Sequence, residues 1–258
     1  MEPQPAPKVV KYNRLLPYWA VFQLDLRQTF RSWIYQAWMF LMIAASAGYL
    51  LYNLGAKQEG SWVVPAHNMI SELLRWVLWG SVTLIIVLAA GTICSERGTV
   101  ADSVLCRGIS RYQYFLGKWH AKLFAVLGMF FLMGTVTIAA AGVLLHGEHL
   151  QLGGCLVALA VIAAILVLVI SCGVSISALA NNTVVSIAIV WLVLYGGGFL
   201  LSFLPERFPS PDRVLKNLPN ILRGLYDSQG MLRLIAGTLG LSAFIAFVGM
   251  IKFSRRDV

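Results

Sequence analysis

The residues best placed to do chemistry stand in one polar stretch between two apolar runs: Ser95-Glu96-Arg97-Gly98-Thr99-Val100-Ala101-Asp102-Ser103-Val104-Leu105-Cys106-Arg107-Gly108-Ile109-Ser110-Arg111. It holds acids, bases and hydroxyls, but neither a pair of carboxylates nor a nucleophile with its base, so its chemistry is charge pairing and recognition rather than bond making. The pattern predicts a short helix, a turn and a restart. Gly98 or Thr99 opens the short helix, Asp102 favours its first turn, and Arg107 suits the opposite pole. Gly108 supplies the break. Ser110 with Gln113 fits a capping box, so the next helix should begin at Arg111 and run through Gly117-Lys118. Such a helix presents a rigid knob to a partner; the competing reading is a solvated loop whose charges only fix orientation.

Other chemistries find little support. A phosphate-binding loop needs Gly-x4-Gly-Lys-Ser/Thr after a strand, and the nearest approach, Gly117-Lys118 followed by Trp119, lacks it. Any ATP chemistry must come from another chain. His67, His120, His146 and His149 fall in loops or at helix ends, which leaves no facing pair for haem. His146, Glu148 and His149 could hold a metal, but a short loop of this kind is more often solvated, and no metal is expected. Cys94, Cys106, Cys155 and Cys172 form no CxxC motif and read as small buried apolar residues. No catalytic residue is assigned.

The elements that must carry this stretch are membrane helices. Of 258 residues, 59% are hydrophobic and 12% charged, far from a soluble domain, in which about a quarter are charged. Six apolar runs, 34–54, 76–94, 121–145, 153–179, 184–204 and 232–253, are each long enough to cross a hydrocarbon core, for which ~20 residues suffice. Their interiors hold essentially no ionisable groups, Arg75 and Arg233 sitting at helix starts. An acid or histidine relay for proton coupling is therefore not visible. The net charge of +9 reflects topology and anionic headgroups, and nucleic acid is not expected. With both termini on one side, that side collects Lys8, Lys11, Arg14, Arg27, Arg31, Arg97, Arg107, Arg111, Lys118, Lys122, Lys252, Arg255 and Arg256, which predicts cytoplasmic termini.

Residues 1–14, with Pro3, Pro5 and Pro7, read as a loosely ordered tail rather than a signal peptide, and 15–258 as a single transmembrane domain. Leu15, Trp19, Phe22, Leu26, Phe30 and Trp33 recur at spacings of three and four, with Gln23, Arg27 and Arg31 on another face. This predicts an interfacial amphipathic helix whose basic face meets headgroups, or else the polar start of one long tilted first span. Residues 203–231, with Pro205, Pro209, Pro211 and Pro219 among apolar pairs, predict short helices at or dipping into the outer face. Gly196-Gly197-Gly198 predicts a packing surface or a flexible break.

In this order and placement the chain resembles the permease subunits of ABC-2 type exporters over nearly its whole length. Glu96, Gly98-Thr99, Leu105, Ile109-Ser110-Arg111 and Gly117-Lys118 follow the family's loop pattern, with Gly108 where the family often has proline, and Phe253 to Val258 resembles its ending. The resemblance implies a homodimer or related heterodimer in the bacterial cytoplasmic (inner) membrane. It also implies two copies of a separate ATP-binding cassette subunit that binds ATP and Mg, this chain carrying no cofactor. Glu96 to Arg111 would dock on that ATPase, with Asp102 and Arg107 as polar contacts and Val104 and Leu105 as apolar anchors. The second and fifth spans would line the path. A redox anchor holding haem or quinone, and a membrane enzyme acting on lipids without ATP, are the rival classes.

Overall fold

The computed structural model describes residues 15–58, 65–96, 109–144, 150–202 and 211–255, all of whose regular elements are helical. In chain order these are α1 (Leu16–Arg31), α2 (Trp33–Gln58), α3 (Ala66–Ala90), a 3-10 turn (Cys94–Glu96), α4 (Arg111–Leu144), α5 (Leu152–Leu179), α6 (Thr183–Ser202), α7 (Pro211–Lys216), α8 (Leu218–Leu222) and α9 (Ser228–Arg255). Five are long and apolar enough to cross a bilayer: α2, α3 with its terminal turn, α4, α5 and α9. This is the build of an integral multi-pass membrane protein. The described apolar part of α6, Thr183–Phe199, is shorter than the other five.

Local chemistry sets most helix starts. Ser32 is extended at ψ 134° and separates α1 from α2, and its Oγ accepts the Tyr35 amide at 3.2 Å. The first segment is therefore a helix of its own and not the start of one continuous span. Ser110 and Gln113 cap each other reciprocally, with Gln113 N donating to Ser110 Oγ at 3.2 Å and Ser110 N to Gln113 Oε1 at 3.1 Å, so α4 begins at Arg111 as its sequence predicts. Asn182 Oδ1 accepts the Val184 amide ahead of α6, and the Asp227 carboxylate accepts the Gln229 and Gly230 amides ahead of α9.

Two helices start well before the apolar runs that announce them. α3 begins at Ala66, not near residue 76, because Ala66, Met69, Ile70, Leu73, Leu74 and Val77 form a buried stripe on an otherwise polar first turn that mean apolarity does not register. Arg75 and Arg233 thus lie inside α3 and α9 rather than at their starts.

The centre of the bundle is α5, apolar on every side and buried along most of its length, as such a helix must be. It packs on α3, α4, α6, α8 and α9, most extensively on α9. Side chains tie these layers together: Trp119 Nε1 donates to Ser171 Oγ at 3.0 Å, and Ser171 Oγ lies 2.7 Å from Ser242 Oγ of α9. At the far end, Gly154 lets the backbone of α8 rest on α5, since a Cβ there would collide with the Ile221 carbonyl. The short helices expected in 203–231 are present as α7 and α8, with Leu218, Ile221 and Leu222 buried. Cys94, Cys155 and Cys172 are buried and free.

Candidate functional site

Where α1, the end of α3 and the start of α4 meet, three helical stripes converge. On α4, Tyr114, Lys118 and Lys122 stand four residues apart on one face; on α1, Val21, Asp25 and Thr29 do the same; Thr92 and Glu96 close the end of α3. Lys118 Nζ is 3.2 Å from Asp25 Oδ1 and 2.8 Å from Glu96 Oε1, and also donates to the Thr92 carbonyl at 3.0 Å. Lys122 Nζ lies 3.2 Å from Asp25 Oδ2 and donates to Thr29 Oγ1, which itself donates to the Asp25 carbonyl at 2.7 Å. The Asp25 Oδ2 contact is one of charge rather than a directed bond, since that oxygen lacks a well-aligned donor. Tyr114 OH completes the set, donating to Glu96 Oε2 at 2.7 Å.

Two carboxylates and two ammonium groups sum to zero charge, and Asp25, Lys118 and Lys122 are all buried. In low dielectric such pairing is strong, but only while every member is present. The polar atoms are spent on one another and face protein, so the cluster positions helices rather than attacking a substrate. Gly117 makes it possible. A Cβ there would stand 2.9 Å from Val21 Cγ1 and 3.3 Å from the Tyr18 carbonyl, and its absence lets α1 lie close enough for Asp25 to reach the lysines.

Of the residues singled out from sequence, Glu96 belongs to this network, and Ser110 caps α4. Arg111 reaches the chain's other end, donating from Nη1 to the Ser254 carbonyl at 3.2 Å, beside the stacked Tyr114 and Phe253 rings. Gly98, Thr99, Asp102, Val104, Leu105 and Arg107 lie outside the described residues, as do Cys106, His146 and His149. The Tyr114 to Glu96 bond does hold the two ends of that segment side by side.

On α1, Trp19 is exposed and stacks on Phe22, whose ring meets Phe124 edge-on, while Arg27 and Arg31 are exposed. The helix therefore has three faces instead of two: an apolar one, a basic one, and the Val21-Asp25-Thr29 seam that docks on α4. Gly196, Gly197 and Gly198 lie within unbroken helix α6, with nothing within 4 Å of where their Cβ atoms would be, so the triplet neither breaks α6 nor packs against this chain.

The sequence reading missed Asp25 and counted Lys118 and Lys122 only as orientation charges. Lys122 falls inside the apolar run 121–145, so the statement that these runs hold essentially no ionisable groups fails at this end. The signal was available in the matching i, i+4 spacings of Asp25-Thr29 and Lys118-Lys122. No family model and no curated protein matches the chain.

Proposed function

We infer that the chain is the membrane-spanning subunit of an ABC-2 type exporter, inactive alone and driven by a separate ATPase. The observation that carries this reading is the buried network, which locks the interfacial helix α1 to both sides of the 97–108 segment. A push on that segment would then be delivered to α1, α3 and α4 together. In this reading α6 is the sixth spanning helix, both termini are cytoplasmic, and two copies of the chain pair with two ATPase copies that hold ATP and Mg. Glu96 to Arg111 form the docking element, with Asp102 and Arg107 as its polar contacts and Val104 and Leu105 as its anchors. The path runs along α3 and α6, whose adjacency supports the assignment: Trp79 lies 6.0 Å from Tyr195, which stacks on Trp191 at 4.3 Å.

Affinity purification of the tagged chain from its own membrane tests the proposal. An ATP-binding cassette subunit should copurify with the wild type and be lost from a variant lacking residues 98–107. Retention of the ATPase by the deletion variant would remove the docking assignment, and recovery of no ATPase with the wild type would remove the transporter reading.

A further inference from the structure

Between α2 and α3 a cleft of about 430 Å3 opens on the surface of the bundle, lined by Leu41, Met42 and Ala45 of α2 and by Leu73, Trp76, Val77 and Gly80 of α3. Its size falls in the ~300–1,000 Å3 range of small-molecule sites. The walls are almost wholly apolar. The polar groups at the base are already satisfied, Trp38 Nε1 donating to Ser81 Oγ at 2.8 Å and Ser81 Oγ to Met42 Sδ. Nothing lies within 4 Å of where a Gly80 Cβ would stand, so the floor is open.

The rim is different. Tyr49 OH donates to Glu72 Oε2 at 2.8 Å, and Arg75, one turn along α3, is exposed and forms no ion pair among the described residues. Counting about 20 residues back along α3 from Glu96, the length that crosses a hydrocarbon core, arrives at Trp76. Glu72 and Arg75 therefore stand at headgroup level, and Trp76, 76% exposed, stands at the boundary where amphipathic rings settle. An apolar trough within the hydrocarbon, closed at headgroup level by one carboxylate and one guanidinium, is complementary to a molecule with an apolar chain, a phosphate and an amine.

We propose that the α2/α3 cleft binds one acyl chain of an amine-bearing zwitterionic phospholipid, its phosphate on Arg75 and its ammonium group on Glu72. The proposal stands on the membrane build of the helices and does not depend on the transporter reading. Native mass spectrometry of the purified chain, with phosphatidylethanolamine and phosphatidylglycerol added at equal mole fraction, tests it. Phosphatidylethanolamine should be retained preferentially, and Arg75→Gln should lower its retention about fivefold. Gly80→Leu, which fills the floor without meeting a neighbour, should lower retention of both lipids while leaving thermal unfolding unchanged. Equal retention of the two lipids, or unchanged retention by both variants, overturns the proposal. So does self-cross-linking of Trp76→Cys with no lipid retained, which would assign the cleft to a second copy.

Discussion

Asp25 is the residue on which the buried network turns, because each of its carboxylate oxygens faces a different lysine. Asp25→Ala would leave two ammonium groups sharing Glu96 alone, and removing one member of a buried ionic set typically costs ~3–5 kcal/mol. A correspondingly lower unfolding temperature in detergent is expected. Replacing the paired groups together, Asp25→Asn with Lys122→Met, should be less destabilising than the sum of the single changes; a double-mutant cycle returning simple additivity would show that the two residues do not interact. The network was partly legible before the fold was known: Glu96 was marked, and Lys118 stood in a noted Gly-Lys pair. Asp25 was not marked, because one acid in a helix whose other charges are basic looks like solvated surface until its partner helix is in place. Burial is a property of the pair of helices and is written in neither segment alone.

Among the elements, α1 and α4 form the unit that the site depends on. Gly117→Val should force α1 outward against Val21, at a cost of ~1–3 kcal/mol typical of overpacking, and Val21→Ala in the same chain should recover part of the loss. Thermal unfolding of the two variants reads this directly. Ser110→Ala removes one half of the reciprocal cap on α4 and should cost about 1 kcal/mol, whereas Ser110→Asp should be nearly neutral. Both the cap and the start at Arg111 follow from four adjacent residues, which is why sequence reasoning located them. The start of α3 at Ala66 was not so visible. Its first turns are half polar, and only packing on α5 and α8 turns their apolar stripe into an interior surface.

For the whole molecule, mean apolarity located the five long apolar helices to within a few residues at most ends, since a bilayer selects for length and apolarity and both are counted directly in a sequence. It could not show which of them is central. α5 and α9 are both long and apolar, yet one is buried on nearly every side and the other presents Leu239, Leu241, Phe244 and Phe247 outward, a distinction made by neighbours rather than by composition. In the proposed topology, alkaline phosphatase fused after residue 258 should be inactive and green fluorescent protein at the same position fluorescent. The opposite result would invert the bundle and place the 97–108 segment on the outer side, where no ATPase could reach it.

The seam between α1 and α4 also has a consequence in time. Asp25 is synthesised 93 residues ahead of Lys118, so for most of the chain's emergence the carboxylate has no counter-charge and α1 has no surface to dock on. Until α4 arrives, an unpaired acid favours water over the bundle interior. The first helix to be made is thus among the last to be seated, and its docking records that α3 and α4 have been inserted together.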